Sequence, residues 1–406
     1  MRSSSLYKMT SLVSSLALAA MCPGTCFCLS GSSANSSVLA PPTRRNENDT
    51  FEMALIQFVT AVSPLLFAGA AWPLDILSGL EPLGSSGCGA DQDVDLDKRT
   101  NENLDSGRTY QLWVPPSYTP GKETPLILSF HGAGGTPDTQ AELDLLTTPF
   151  FNKDHIVVYP SSLDYDVEPY RFWQGAPQVP PDVDDIGYVM DVVNDVESRL
   201  CVDKSRIYAT GKSQGGMMTN NLACDGRASA RIAAFAPVSG AYYVNVSGSD
   251  CKPTKLKFDC EPDADRNGKI PLLIFHGGDD DTISYEGGER SGECLPAIPY
   301  FVSEWAAREG LHSEPQRSSP LDGAKDNAKV YTYGSGSSKA EGDNKKDDDE
   351  DAVAQMGLVT LVYDGNHVNH QWPATIDNAD NIKHGSKPAS FNASSIIMDF
   401  FNKYTL

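Results

Sequence analysis

The chain has 406 residues, 40 % of them hydrophobic and 21 % charged, a composition that can fill a packed interior and argues against a wholly disordered protein. Its 54 acidic and 32 basic side chains give a formal charge of −22, which repels phosphate backbones and excludes nucleic acid as the expected partner. The length allows one large domain with appendages or two ordinary ones.

An apolar run from Met9 to Met21 lies behind Arg2 and Lys8 and ends near the small residues Ala19 and Ala20, which predicts a signal peptide over 1–29. The segment 30–86 reads as leader and linker. Within it the uncharged run 53–74 follows Arg44 and Arg45 and is long enough to span a bilayer. This run reads as a membrane anchor, as a buried or loosely attached helix, or as the true signal peptide behind a start at Met53. Secretion is the expected localisation under each reading. Sequons at Asn35, Asn48, Asn245 and Asn392 fit that route as glycosylation sites.

Of nine cysteines, Cys22, Cys26 and Cys28 fall in the leader, leaving Cys88, Cys201, Cys224, Cys251, Cys260 and Cys294. An even set in an exported chain predicts three disulfides. Metal binding is disfavoured because these six contain no C-x-x-C pair and have no histidine at a ligand spacing.

The catalytic domain is expected over 87–406. Short apolar runs flanked by Gly, Pro or Asp predict strands at Tyr110–Val114, Leu126–Phe130, Ile156–Tyr159, Ile207–Ala209, Ile232–Phe235, Leu272–Phe275 and Leu358–Tyr363. Between them Ile186, Val189, Met190, Val193, Val196 and Leu200 recur at helical spacing, with Asp184 and Asp185 placed to favour the helix dipole. Further helices carry Ile298, Phe301, Val302 and Trp305, then Ile396, Ile397, Phe400 and Phe401. Strands alternating with helices imply a mainly parallel sheet covered on both faces, with its site at the carboxyl ends of the strands. The acidic stretch 334–351 lacks apolar periodicity and reads as a solvated insertion, since the ligand order of a calcium-binding loop is missing.

Four motifs in chain order carry chemistry. His131-Gly-Ala-Gly-Gly135 follows a predicted strand and matches a turn that offers backbone amides, here of Gly132 and Ala133, to an oxyanion. Gly211-Lys-Ser-Gln-Gly215 lies between a strand and a helix, as a nucleophile elbow at Ser213 requires, and places the Gln214 amide at a helix N-terminus. The strand at 272–275 leads into Asp279, Asp280 and Asp281, which composition does not separate as the orienting acid. The last strand leads to His367 and His370, rival candidates for the base. The order Ser, Asp, His is that of α/β hydrolases.

These segments, LILSFHGAGG, YATGKSQGG, HGGDDDTISY, HVNHQWP and SFNASSIIMDFFNKYTL, resemble the fungal feruloyl esterases of carbohydrate esterase family 1, which are related to polyhydroxybutyrate depolymerase-like esterases. The resemblance runs from about Gly87 to Leu406. It implies an α/β-hydrolase fold with Ser213, Asp280 and His370 as triad, Asp280 chosen by the pattern H-G-x-x-D-x-T and His370 by its place before x-Trp-Pro. It also implies a disulfide Cys201–Cys224, to which the pairs Cys88–Cys294 and Cys251–Cys260 are added. Trp173 and Trp372 are the aromatic candidates for substrate contact, with a core role an equal reading for Trp173.

The implied reaction is two-step hydrolysis of hydroxycinnamoyl esters of plant cell-wall xylan. The implied partners are that polysaccharide or a small ester, with no stable protein partner. Acetylxylan or polyhydroxybutyrate esters are the alternative substrates, and a catalytically inactive cell-surface binding protein is the rival of another class. No cofactor and no metal are expected. Lys212, the acidic insertion and Leu311, where relatives often carry a cysteine, depart from the family pattern. The insertion precedes the histidine strand and is expected near the cleft rim.

Overall fold

A computed structural model describes residues 84–90, 94–166, 168, 171–264, 269–324, 327–334, 356–365, 367–383 and 385–406. The predicted signal peptide, the run 53–74, Asn35, Asn48, Cys22, Cys26, Cys28 and residues 335–351 of the insertion lie outside them. The described residues fall within one unit, Asp75–Leu406. No described helix is long and apolar enough to cross a membrane.

In chain order the elements begin with β1 (Arg99–Asn103), β2 (Thr109–Trp113), β3 (Thr124–Phe130), α1 (Pro137–Asp144), β4 (Ile156–Pro160), β5 (Leu163–Asp164) and β6 (Arg171–Phe172). The middle of the chain forms α2 (Asp185–Arg199), β7 (Val202–Lys212), α3 (Gln214–Cys224), α4 (Gly226–Ser229), β8 (Ala234–Val238) and β9 (Leu272–Gly277). Then follow β10 (Gly288–Arg290), β11 (Glu293–Leu295), α5 (Ile298–Arg308), β12 (Arg317–Pro320), β13 (Ala328–Tyr333), β14 (Val359–Asp364), α6 (Ala379–Lys383) and α7 (Ala393–Phe401).

Ten strands make one sheet in the order β1-β2-β4-β3-β7-β8-β9-β14-β13-β12. Its middle, from β4 to β14, is parallel throughout. The two flanks are antiparallel. The central strands β3, β4 and β9 are buried along their whole length because both faces are covered: Leu126, Leu128 and Phe130 pack with α2, α3 and α5 side chains, while Ile127 joins Tyr208, Leu273 and α7 on the other face. This is the α/β-hydrolase fold.

All seven predicted strands are present, with shifted ends. Strand β7 is longer than its apolar centre, running through polar residues from Val202 to Lys212. Strands β1, β12 and β13 were not predicted. Strands β1 and β12 are largely exposed edges with polar sequences, RTNEN and RSSP, so no apolar run marks them.

Helix α2 forms where its periodicity places it, and the Asp184 side chain caps it through the Gly187 amide at 2.8 Å. Asp185, expected as a dipole-complementing carboxylate at the helix start, stands in the first turn and is also buried. It accepts from Arg108 at 2.9 Å and from the Gln174 amide at 2.7 Å.

The three disulfides are Cys88–Cys201, Cys224–Cys260 and Cys251–Cys294. The expected pairs Cys201–Cys224, Cys88–Cys294 and Cys251–Cys260 are corrected, and backbone pairing gives the reason. Ser85 and Gly87 bond to Val202 and Glu197, which seats Cys88 beside Cys201. The Glu261 amide bonds to the Cys224 carbonyl, which brings in Cys260. An isolated bridge between Val244 and Cys294 leaves Cys251 to close on Cys294.

The insertion is anchored by Gly334 and Met356. Strand β14 runs parallel to β9, with Val359 opposite Leu272, so this anchor stands at the amino end of the parallel strands. The expected place of the insertion at the cleft rim falls on residues outside the described ones; the flanking Gly334 and Met356 stand at the end of the sheet opposite the cleft.

Candidate active site

Strand β7 delivers Ser213, which takes φ 58° and ψ −117° between the strand and α3. A side-chain-bearing residue in this region costs roughly 1–3 kcal/mol and persists only where its surroundings hold it. Here the Ser213 amide bonds to the Val238 carbonyl at 2.9 Å, and the Ser213 carbonyl takes the amides of Met217 and Ala241. Gly215 is required by crowding, since a Cβ there would overlap the Phe130 carbonyl at the end of β3. Gln214 begins α3, so its amide has no acceptor within the helix and points its partial positive charge toward the cleft that Gln214 lines.

Two strands away, β9 ends in the carboxylate triplet. Asp279 and Asp281 are exposed and line the cleft, whereas Asp280 is buried behind it. Asp280 Oδ1 accepts from the amides of Thr282 (3.0 Å) and Ile283 (2.7 Å), and Oδ2 lies 2.9 Å from His370 Nδ1. Burial alone would push the Asp280 carboxyl up. The hydrogen bond from His370, the electrostatic pull of the His370 and His276 rings, and the Ile283 amide outweigh it and hold the group below the ordinary carboxylate value.

His370 is carried on the loop after β14, the strand next to β9. The two loops touch through backbone: a Cβ at Gly277 would overlap the Val368 carbonyl. His367 also lines the cleft but is exposed and has no recorded contact with Asp280. His276, whose ring is buried, donates from Nε2 to the Ile283 carbonyl at 2.7 Å and stands 3.4 Å from Asp280. Burial pushes its pKa down to about 4, so it is neutral beside the ionised acid.

Ser213 and His370 share a cleft of about 900 Å3 with Gly132, Ala133 and Gln214. The turn that carries Gly132 and Ala133 is rigid for identifiable reasons. His131 Nδ1 donates to the Gly132 carbonyl at 2.8 Å while Nε2 accepts from the Ser162 amide at 3.3 Å. Burial lowers the His131 pKa to about 4 and keeps this neutral tautomer. The Trp173 indole donates to the His131 carbonyl at 2.8 Å, and the Gly134 amide bonds to the Arg171 carbonyl.

Trp173 and Trp372, the aromatic candidates for substrate contact, pack in the interior. Both are buried and absent from the cleft lining: Trp173 braces the turn from behind, and Trp372 donates its indole to Ser394 Oγ at 2.9 Å. Their apolar bodies are worth more in the core than on a wall of the cleft. No motif in the sequence pointed to Tyr243, Arg290 and Lys387, which line the cleft. Nor did it point to Asp380, which pairs with Lys212 from 168 residues away.

Of the sequons within the described residues, Asn245 is exposed. Asn392 is half-buried, with its side-chain oxygen taken by the Thr375 amide and hydroxyl, and its sequon hydroxyl at Ser394 is buried.

No protein-family model matches the chain. The chain is 27 % identical over 212 residues to feruloyl esterase B of Piromyces equi, spanning 51 % of this chain and 36 % of that protein. It is 26 % identical over 245 residues to the probable feruloyl esterase C of Aspergillus niger, spanning 57 % of this chain and 78 % of that one. Among solved structures, the acetyl xylan esterase from Aspergillus awamori aligns with a TM-score of 0.48 and 16 % identity, over 68 % of this chain and 93 % of that chain. The fold is that of α/β hydrolases, and the relatives that the chain resembles, of the first of which it spans about a third, are named as carboxylic ester hydrolases. Within that class it is similar to the fungal feruloyl esterases.

Proposed function

We propose that the chain is a secreted serine esterase that releases hydroxycinnamate from plant cell-wall xylan. Ser213 is the nucleophile, His370 the general base and Asp280 the residue that orients it. The observation that carries this reading is the 2.9 Å contact from Asp280 to His370 Nδ1, which turns the other ring nitrogen toward the cleft that Ser213 lines. His370 takes the Ser213 proton as Oγ attacks the ester carbonyl. The developing oxyanion is received by the Gln214 amide and an amide of the turn at Gly132 and Ala133. His370 then gives its proton to the sugar oxygen as the bond from that oxygen to the acyl carbon breaks, and a water molecule, activated by the same histidine, releases the acid from Ser213.

The names of the relatives support the feruloyl assignment, and a cleft of about 900 Å3 is roomy enough for a phenolic acyl group with its sugar. The apolar run at Met9–Met21 and the exposed sequon at Asn245 support secretion. Purified protein is expected to release ferulate from methyl ferulate and feruloylated arabinoxylan, and to take a fluorophosphonate on Ser213. Hydrolysis of acetylated xylan or polyhydroxybutyrate without ferulate release overturns the acyl assignment alone. Absence of the adduct on Ser213 in folded protein overturns the mechanism.

A further inference from the structure

The residue before the nucleophile is a buried cation. Lys212 is 7 % exposed at the end of β7, and its Nζ stands 2.9 and 2.8 Å from the two carboxylate oxygens of Asp380, itself 1 % exposed on α6. Oδ2 of Asp380 also accepts the backbone amide of Trp372 at 2.6 Å, two residues beyond His370. The Asp380 carbonyl takes the amide of Ser386, a residue of the cleft wall. One carboxylate thus ties the nucleophile's neighbour to the strap that carries the base.

Stability alone is a poor reason for such a pair. Desolvating both charges cancels much of their attraction, and a well-packed apolar pair of equal volume is often as stable. What the pair supplies is a fixed relation between two loops that leave different strands, β7 and β14. We infer that Lys212 is a positioning residue: it neutralises and orients Asp380, which holds the Trp372 amide and so sets the height of His370 over Ser213. This inference rests on the reading of Ser213 and His370 as nucleophile and base.

The test compares Lys212→Met, Asp380→Asn and the double variant with a small p-nitrophenyl ester. Methionine leaves Asp380 buried without its counter-charge, so the carboxylate turns toward water and frees the Trp372 amide. Misplacing a catalytic group by about 1 Å costs on the order of 100-fold, so kcat of Lys212→Met is expected to fall by about 10- to 100-fold with KM within about 3-fold. Adding Asp380→Asn removes the carboxylate charge that Lys212 faced and keeps an oxygen for the Trp372 amide. The double variant is therefore expected to recover most of kcat, and Asp380→Asn alone to lose less than Lys212→Met. Wild-type kcat in Lys212→Met overturns the inference. So does a double variant that regains the melting temperature but not kcat, because the lysine charge would then act on the reaction itself. Ser213→Ala serves as the separate control: if it stays active, the reading of the site fails, whereas an inactive Ser213→Ala beside a fully active Lys212→Met fails only the inference.

Discussion

Asp280 divides its two oxygens between different tasks: Oδ1 is held by the amides of Thr282 and Ile283, and Oδ2 faces His370 Nδ1 at 2.9 Å. The carboxylate cannot rotate without leaving two buried amides unpaired, so the direction it imposes on the imidazole is set by the backbone of its own turn.

Asp280→Asn tests this arrangement with minimal change of shape. Its amide oxygen must face Thr282 and Ile283, which turns its NH2 toward His370 and forces the proton onto the wrong ring nitrogen. We expect kcat to fall about 10^4-fold with the fold intact, as a misdirected tautomer does in serine hydrolases. Steady-state kinetics on methyl ferulate would show this, and a loss under tenfold would contradict it.

Two buried neutral histidines set an acid limit on stability. His131 and His276 have pKa values near 4 in the folded chain against an ordinary 6.5, so their contribution is complete above pH 6.5 and is lost as pH falls toward 4. Each is worth up to about 3 kcal/mol. Asp144 opposes them: burial raises its carboxyl to about 6, so it favours the folded state as pH falls through that window. With two groups against one, the melting temperature should fall from pH 6.5 to 4.5. A rise over that interval would contradict the assignment.

The elbow should not tolerate a single added methyl group. Gly215→Ala places a Cβ against the Phe130 carbonyl, and relief requires β3 and α3 to separate. We expect a loss of about 1–3 kcal/mol in urea unfolding and a fall in kcat, because the same shift moves Ser213 away from the Gly132 turn. Wild-type stability and rate would show that the contact is looser than drawn.

Non-reducing peptide mapping should recover Cys88 linked to Cys201, Cys224 to Cys260 and Cys251 to Cys294. Replacing Cys224 and Cys260 together by alanine opens a loop whose ends are 36 residues apart and should cost about 4 kcal/mol by chain entropy. A peptide joining Cys201 to Cys224 would refute the map.

Replacing residues 335–355 by a four-residue Gly/Ser turn should leave kcat/KM within about twofold. Gly334 and Gly357 are already in contact at the end of the β13–β14 hairpin, so a turn of that length closes it. A large loss of activity on a small soluble ester would show that the insertion reaches the cleft.

The parallel core was readable because strands buried on both faces are written as unbroken apolar runs. The elbow was readable because its backbone demands glycines near one serine. The choice between core and cleft for Trp173 was not readable, because sequence places an aromatic near a site without saying on which side of the turn it stands. The burial of Asp185 at its helix start was not readable either, because its partners, Arg108 and Gln174, lie in other segments. The disulfide pairing and the Lys212–Asp380 pair were unreadable for one reason: each depends on which distant segments the sheet brings side by side.

The hairpin neck at Gly334 and Gly357 divides the active site unequally. Everything before it includes Ser213, Asp280 and the Gly132 turn, and everything after it includes β14 and His370. Strand β14 is an interior strand, hydrogen-bonded to β9 on one side and β13 on the other. On the proposed triad, two polypeptides cut at this neck are expected each to be inert, with ester hydrolysis returning only when the second donates its strand to the first. The fold is thus laid out as a complementation pair in which a single histidine reports the reunion.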